Sequence, residues 1–267
     1  MASRERRNLT LAVKDVWDGV RRIYIWPMLG WQDIKQRYRR SVIGPFWLTL
    51  SYGAMVAGMG PLYGRLLQQD IGSYLPYLAT SFVIWILMSS IIIDACSAFI
   101  GAEGYIKQVK LPLTVHVLRL VWKNVLIFFH NFVIVLLVMF IYPPPLTWAL
   151  LLIPAGVLML ALNGIWLGLL FGMLCARFRD IPQVVSSFVQ IVFFLTPVMW
   201  RSEMLGRKQW LVELNPFYHF LEIVRAPLIS GGGAMRSWLM VTLITIAGFL
   251  VTLLVFSRYR ARVAYWV

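Results

Sequence analysis

Six stretches of about twenty mostly apolar residues constrain this chain more than any other feature of its sequence. A helix needs about 20 apolar residues to cross the hydrocarbon core of a bilayer. With 60% hydrophobic residues and a mean hydropathy of +0.74, the chain is too apolar for a water-soluble domain. We therefore predict an all-α membrane protein with six transmembrane helices. The predicted spans are 42–63, 74–100, 121–141, 148–176, 181–200 and 238–256, the fifth bracketed by Pro182 and Pro197.

The basic residues are distributed unevenly around these spans. If residues 1–41 lie in the cytoplasm, 19 of the 25 Lys and Arg fall on the cytoplasmic side and six on the external side. Because cytoplasmic loops carry the excess of Lys and Arg, this distribution predicts that both termini are cytoplasmic. It divides the chain into a cytoplasmic and interfacial region (1–41), a membrane domain (42–257) and a basic tail (258–267). No basic stretch is interleaved with a base-reading motif, so no nucleic-acid partner is expected.

The region before the first span has apolar residues at helical spacing. Val13, Trp17 and Tyr24 fall on one predicted face, and charged residues occupy the other. Pro27 interrupts the pattern, which resumes at Trp31. Basic residues opposite a Trp-bearing apolar face are typical of an amphipathic helix that lies in the membrane interface, which is the structure we predict. A helix packed on a soluble domain would show the same pattern, and this alternative stays open.

Two predicted loops are too apolar to be simple connections. The first predicts a short cytoplasmic helix at 104–112 that lies across the base of the spans. The second, 203–229, is too apolar for a solvated loop and too short for two further spans. Because non-helical backbone survives at membrane depth only inside protein or beside a water-filled cavity, we predict short re-entrant helices there that cap the external side. The predicted external gate consists of Trp210, Pro216, Phe217, Tyr218 and Phe220.

The sequence contains no constellation that is typical of an enzyme. Its histidines, His116, His130 and His219, fall at different membrane depths, so neither a metal site nor a catalytic residue is predicted. The P-loop pattern G-x-x-x-x-G-K-[ST] is absent, so ATP and Mg²⁺ would be bound by a separate chain. Asp94 is the clearest acidic residue inside a predicted span. It is either a functional intramembrane carboxylate or a group that reaches the interface or pairs with a nearby base.

Aromatic residues are abundant, with 12 Trp, 11 Tyr and 16 Phe. Many lie at span ends, where interfacial aromatic belts explain them. Others lie within the predicted spans, where their faces could line a wide pore and stack on sugar rings. Ordinary packing between helices or against lipid is the alternative for each of them. The predicted pore aromatics are Tyr52, Phe82, Trp85, Trp166, Phe188, Phe193 and Phe194.

Five motifs occur in a characteristic order. They are WQDIKQRYRRSVIGPFW, GAEGYIKQVKLPL, RFRDIPQ, TPVMW followed by NPFYHFLEIVRAPLI, and the C-terminal RYRARVAYWV. Together they resemble the permease subunits of polysaccharide ABC exporters, which move O-antigen, capsule or teichoic-acid chains. The resemblance covers nearly the whole chain. LTLSYGAMV departs from it, because many members carry a Pro- or Asn-containing segment there.

The resemblance implies a homodimer with two copies of a separate ATPase subunit, a lipid-linked glycan as substrate and no cofactor in this chain. It also implies a multi-pass protein of the cytoplasmic (inner) membrane. Energy would then enter at 31–40 and 104–112, where basic residues suit acidic residues of the ATPase, anionic membrane lipids, or both. The residues assigned to ATPase coupling are Asp33, Lys35, Arg37, Tyr38, Arg39, Arg40, Tyr105, Lys107 and Lys110.

Three other functions remain as alternatives to a channel-forming subunit of an ATP-driven polysaccharide exporter. The same type of permease could export a drug or a lipid. A membrane enzyme acting on a lipid-linked sugar would need acids or histidines clustered at one depth, which the sequence lacks. An ion-coupled carrier would show inverted repeats, and the two halves of the chain have no detectable internal similarity.

Overall fold

A computed structural model describes residues 2–39, 44, 46–145 and 147–267. Every regular element within these residues is a helix, which confirms the predicted all-α class. The α-helices are α1 (Ala2–Arg21), α2 (Ile25–Arg37), α3 (Phe46–Leu66), α4 (Ile71–Cys96), α5 (Glu103–Gln108), α6 (Leu113–Ile141), α7 (Leu152–Arg177), α8 (Ile181–Leu195), α9 (Trp210–Glu213), α10 (Pro216–Ile229), α11 (Met235–Tyr259) and α12 (Val263–Trp266). Short 3-10 helices cover Ile100–Ala102, Trp148–Leu151, Ser202–Lys208 and Arg260–Arg262.

Four helical segments of the described chain are long and apolar enough to cross a membrane. They correspond to the predicted second, third, fourth and sixth spans. α3 has 21 residues, about 31 Å of helix, but its glycines and Pro61 make it less apolar than these four segments. α8 has 15 residues, about 22 Å of helix, which is shorter than a hydrocarbon core of about 30 Å. The first and fifth spans therefore stay predictions. The four segments are Ile71–Cys96, Leu113–Ile141, Trp148–Arg177 and Met235–Trp266.

α6 begins at Leu113, whereas the predicted third span began near Val121. Pro112 precedes the helix, and the Asp15 carboxylate accepts the backbone N–H groups of Leu113 (3.3 Å) and Thr114 (3.1 Å). These N–H groups have no partner within the helix, so an acceptor from α1 allows it to begin here. The predicted coupling helix at 104–112 is correspondingly shorter, because α5 ends at residue 108.

α4 lies at the centre of the bundle, and most of its 26 residues are buried. α6 and α7 pack along it, and α3, α8 and α10 complete its surroundings. Glycines permit the closest helix contacts. A Cβ added at Gly168 would lie 2.4 Å from Val117, and one added at Gly248 would lie 2.3 Å from Trp166. Because small residues let helix backbones approach in a bilayer, these two glycines allow α7 to pack closely against α6 and α11.

The two ends of the bundle differ in what covers them. At one end, the α2 end, α1 and α2 pack on α6. At the other, the α10 end, the segment Ser202–Ile229 folds back and α10 packs on α4 and α7. α1 leaves an apolar stripe exposed, including Val13, Trp17 and Val20. This stripe is the surface through which the predicted contact with the membrane interface would be made.

Candidate functional site

At the α2 end, Asp33 of α2 is bound by Arg119 of α6. The Arg119 Nε donates to Oδ2 of Asp33 at 2.6 Å, and Nη2 donates to Oδ1. A two-point ion pair of this kind sets the orientation of both side chains as well as their distance. The Asp33 carboxylate therefore attaches α2 to α6. Its predicted role in ATPase coupling stays a prediction.

Arg119 also contacts α5. Its guanidinium carbon lies 5.3 Å from the centroid of the Tyr105 ring, within the range of a cation–π interaction. The Tyr105 ring lies 6.3 Å from the ring of His116, which is also on α6. The two elements predicted to receive motion from an ATPase, α2 and α5, thus meet on the first turns of one helix.

Two predicted coupling lysines have partners within the chain. The Lys35 Nζ lies 5.7 Å from the centroid of the Trp31 ring, one helical turn earlier. The Lys107 Nζ lies 2.6 Å from Oε1 of Glu103. Its hydrogen bond and positive charge lower the pKa of the Glu103 carboxyl. Both contacts are local, so they leave these lysines at the surface.

Three other predicted coupling cations are exposed and form no ion pair with a described residue: Arg37, Arg39 and Lys110. Tyr38 lies between the two arginines and is half-buried. Burial raises the pKa of its hydroxyl, and the charge of Arg37 opposes the shift. Arg40 lies outside the described residues. These three exposed cations are therefore available to a partner.

Asp94 is not an isolated acid. Its Oδ2 lies 2.7 Å from the Lys123 Nζ and accepts a hydrogen bond of 2.9 Å from the Asn124 Nδ2. Both partners belong to α6. The geometry is that of the second interpretation offered by the sequence, a carboxylate paired with a nearby base.

Asp15 is a structural centre of the α2 end that sequence reasoning missed. Its side chain is 1% exposed. Besides capping α6, it accepts hydrogen bonds from the Thr114 Oγ1 at 2.9 Å and from the Arg260 Nε at 2.8 Å. One carboxylate therefore joins α1, the start of α6 and the end of α11. Its partners lie 98 to 245 residues away in the chain, so no local pattern could have indicated them.

Four aromatic rings meet between α4, α8 and α10. The Phe193 centroid lies 5.7 Å from that of Phe82 and 5.5 Å from that of Trp85. The Trp85 ring also lies 5.8 Å from Phe217. Phe82 and Trp85 are buried within the single chain. The structure thus brings three predicted pore aromatics together with one predicted gate residue.

The remaining predicted pore aromatics are more dispersed, although the Phe194 ring lies 5.3 Å from that of Phe193. Phe188 and Phe194 are 55% and 65% exposed on the outer face of α8. Trp166 of α7 donates from Nε1 to the Asn163 Oδ1 at 2.8 Å, and Tyr52 of α3 packs against a cluster with residues of α4 and α6. The seven residues therefore do not form one continuous surface of this chain.

At the α10 end, Arg225 is only 2% exposed. Its Nη1 donates to the Ser81 Oγ at 2.9 Å and to the Pro197 carbonyl at 2.6 Å, and its Nε donates to Glu222 at 3.1 Å. The guanidinium also lies 4.5 Å from the ring of Tyr77, whose hydroxyl donates to the same Pro197 carbonyl at 2.8 Å. This buried network fastens α10 to α4 and to the segment that follows α8.

The predicted gate residues divide between two places. Trp210 begins α9 and is exposed. The other four lie on α10, where the Tyr218 ring contacts that of His219 at 5.4 Å. An apolar cavity of about 190 Å³ lies beneath α10, and Trp166 forms part of its wall. The gate residues that line this cavity are Pro216, Phe217 and Phe220.

The groups that could bind a metal are dispersed. Among the residues that the structure describes, no three His, Cys, Asp or Glu side chains lie close enough to hold a metal ion. The His130 Nδ1 contacts the Leu126 carbonyl, and His219 contacts Ser237 and the carbonyl of Glu213. Two of the three histidines thus have partners in the fold.

Comparison with known proteins covers most of these elements. A family model described as "ABC-2 type transporter" matches residues 26–229, from α2 through α10. The chain is similar to the O-antigen export system permease protein RfbA of Klebsiella pneumoniae, at 24% identity over 239 residues, 87% of this chain and 91% of the relative. A second Klebsiella pneumoniae protein of that name is 25% identical over 190 residues, 69% and 72% of the two chains. The protein of the same name from Myxococcus xanthus is 23% identical over 198 residues, 73% and 76%.

Proposed function

The chain belongs to the ABC-2 type transporter family, and from this premise we propose that it is the membrane-spanning subunit of an ATP-driven exporter of a lipid-linked polysaccharide, such as O-antigen or capsule. One observation carries the proposal: 87% of the chain is similar to a permease named for O-antigen export. A separate ATPase subunit binds ATP and Mg²⁺ and supplies the energy. The family match supports the assignment of transport and ATP hydrolysis to separate chains, because it covers a transporter's membrane domain.

The proposed arrangement has six spans, with α3 and α8 as the first and the fifth. Both termini and the α2 end face the cytoplasm, and α9 and α10 form short re-entrant helices at the external side of the inner membrane. Two copies of the chain and two ATPase subunits make up the complex. The outer face of α8 supports a second copy, because Phe188, Ile191 and Phe194 are left uncovered by the single chain.

Co-expression tests the proposal. We expect an ATPase encoded by the same host to copurify with the chain in equal amounts, and glycan to reach the cell surface only when both are present. An ATPase variant that binds but does not hydrolyse ATP should stop export while ion gradients stay intact. Export that persists with this variant would contradict the proposal, and export of a drug or lipid without glycan would favour the alternative substrate.

Arg37→Glu is expected to reduce export roughly tenfold, a change of about 1.4 kcal/mol, while the complex still assembles. Arg37 is exposed and forms no ion pair with a described residue, so a reversed charge would repel the acidic surface proposed for the ATPase. ATP hydrolysis and glycan export are measured together in proteoliposomes. Arg65→Glu, the same change at an exposed residue of α3, is the control and should leave both rates unaltered. Full export by Arg37→Glu would remove this residue from the coupling surface.

Charge reversal at Asp33 should differ from that at Arg37. Asp33→Lys breaks the pair with Arg119, so we expect both uncoupled ATP hydrolysis and a lower melting temperature. The exchanged pair Asp33→Arg with Arg119→Asp should recover part of the stability. If Asp33→Lys uncouples without any loss of stability, its role is direct contact with the ATPase rather than attachment of α2.

The segment Ser202–Ile229 is proposed to act as a lid that closes the external side to ions and parts for the polymer. Glu213 of α9 pairs with Arg236 of α11, so cysteines at these two positions lie within reach of a short bifunctional thiol reagent. Cross-linking Glu213→Cys to Arg236→Cys should block export and leave basal ATP hydrolysis unchanged. The native Cys96 and Cys175 are buried and should not react. Each single cysteine is the control; undiminished export after complete cross-linking would disprove the lid.

A further inference from the structure

α5 is too short to hold its own position. It has six residues, none of its side chains is buried, and isolated helices shorter than about 12–15 residues are marginal in water. Two neighbouring residues attach it in different directions. Tyr105 contacts Arg119 of α6, whereas Ile106 is half-buried and packs on an apolar cluster that includes Val263 and Val267. The position of α5 therefore depends on both of these neighbours.

α12 is the second neighbour of α5. Of the α-helices that the structure describes, it has the most extensive contact with α5, and it also packs on α7. Val263 is fully buried and Val267 is 8% exposed, so both ends of this short segment are held in the interior. The same apolar cluster contains Met173 of α7 and Phe256 of α11. α12 thus joins α5 to the ends of two of the long helices.

Trp266 fixes α12 against these helix ends. Its ring lies 5.5 Å from the guanidinium carbon of Arg177, within the range of a cation–π interaction. The centroid of the Tyr259 ring, at the end of α11, lies 5.9 Å from that of Trp266. The Trp266 carbonyl accepts a hydrogen bond of 3.2 Å from the Arg179 Nη2. Both the ring and the backbone of this residue are therefore attached to the segment that ends α7.

Arg179 also acts on α5. The hydrogen bond and charge of Lys107 lower the pKa of the Glu103 carboxyl, and the charge of Arg179 lowers it further. One guanidinium therefore attracts the first residue of α5 while it binds the backbone of α12. The segments that follow α4, α7 and α11, which the proposed topology places in the cytoplasm, thus meet in one place.

We propose that α12 positions α5 and transmits a displacement of α5 to α7 and α11. Packed side chains and short rigid elements carry coupling between distant parts of a protein, and the contacts are continuous from Ile106 through α12 to Arg177 and Tyr259. Trp266 is accordingly a positioning residue. This route is distinct from the one through Arg119, which leads from α5 to α6 and α2. The transmission rests on the proposed function, because the ATPase would displace α5, whereas the positioning does not.

The positioning is tested on the purified full-length chain with a nitroxide spin label at Gln108→Cys, an exposed residue of α5. Cys96 and Cys175 are buried and should not take up the label. Trp266→Ala should shorten the rotational correlation time of this label roughly twofold, because α5 loses its attachment to α12. Trp266→Phe keeps a ring and should restore most of the wild-type spectrum. Tyr265→Ala, in the same element but at a residue that is 91% exposed, is the matched control and should change nothing.

A second label separates local loosening from general destabilisation. Gln36→Cys places it at an exposed residue of α2, the other coupling element, and Trp266→Ala should leave its spectrum unaltered. Arg179→Gln removes the hydrogen bond to α12 and leaves the apolar cluster intact, so it should loosen the Gln108 label to a smaller extent. Equal loosening of both labels, or no loosening at Gln108, would overturn the positioning role.

The transmission is measured with the ATPase present in proteoliposomes, as glycan exported per ATP hydrolysed. Trp266→Ala should lower this ratio roughly threefold while hydrolysis continues, and Trp266→Phe should recover it. An unchanged ratio beside a loosened α5 would overturn transmission through α12. If the wild-type complex exports no glycan, the proposed function fails and the transmission fails with it. The spin-label result needs neither the ATPase nor export, so the positioning role is decided separately.

Discussion

Arg225→Met is expected to lower the free energy of unfolding by about 3–5 kcal/mol. The substitution keeps an apolar stem and removes a buried guanidinium that binds Glu222, Ser81 and the Pro197 carbonyl. The Glu222 carboxylate would then stay largely buried without its cation, which is the main source of the loss. Thermal unfolding of the purified chain, followed by tryptophan fluorescence, measures the effect.

Two further variants identify the cause. Adding Glu222→Gln to Arg225→Met removes the unpaired charge, so the double variant should melt at a higher temperature than Arg225→Met alone. Arg236→Ala removes an exposed ion pair with Glu213 at the same end, and should cost no more than about 1 kcal/mol. Equal losses for Arg225→Met and Arg236→Ala would show that burial of the network contributes little.

Asp15→Ala is expected to cost about 2–4 kcal/mol, because two backbone N–H groups at the start of α6 lose their acceptor in a buried place. The Arg260 side chain is partly exposed and can turn to water, so it adds less. α1 should also separate more readily from α6. Limited trypsin digestion, with cleavage at Arg21 and Arg22, measures this separation alongside the melting temperature.

The neighbouring positions provide the controls. Asp15→Asn keeps an acceptor for α6 and loses only the charge, so it should fall between the wild type and Asp15→Ala. Asp18→Asn alters a half-buried acid of the same helix that forms no ion pair with a described residue, and should change neither measurement. Rapid tryptic cleavage in the Asp18 variant would mean that the negative charge of α1, rather than the cap that Asp15 provides to α6, holds α1 in place.

The long apolar helices could be predicted because each is defined by its own composition. α4, α6, α7 and α11 are continuous apolar runs long enough to cross a bilayer, so periodicity and length suffice. α3 and α8 depend on more than composition. Glycines weaken the first, and the second is short, so only neighbouring helices or a second copy can decide how they lie in the membrane.

The polar sites at the two ends were harder to predict, because their partners are distant in the chain. Arg225 lies in the predicted external segment 203–229, and nothing local in the sequence indicates that α10 folds over Ser81 of α4. The predicted third span, 121–141, leaves His116 and Arg119 outside it and separates them from Lys123. Helical spacing would have placed them on one face, had the start of α6 been recognised at Leu113. That start depends on a carboxylate supplied from 98 residues away.

The surface predicted to contact the ATPase, formed by 31–40 and 104–112, could likewise be predicted only in part. The exposed basic residues of α2 and of the segment after α5 could be identified from their charge and position. The sequence did not show that Asp33, the acid of this segment, is bound within the chain. In the structure its carboxylate is bound by Arg119 of α6. Charge marks which surface is basic, whereas only the packing of α2 on α6 decides which of its residues remain free.

The bond between Asp15 and Arg260 also sets an order of events during synthesis. The two residues are separated by 245 positions, so the N-terminal helix acquires this partner only when almost the whole chain has left the ribosome. Until then, α6 can be inserted and capped, but the Asp15 carboxylate has no cation from the tail. A chain that ends before residue 260 never completes the contact. Truncated fusions used to map the membrane topology would therefore report on a molecule whose first helix is incompletely attached.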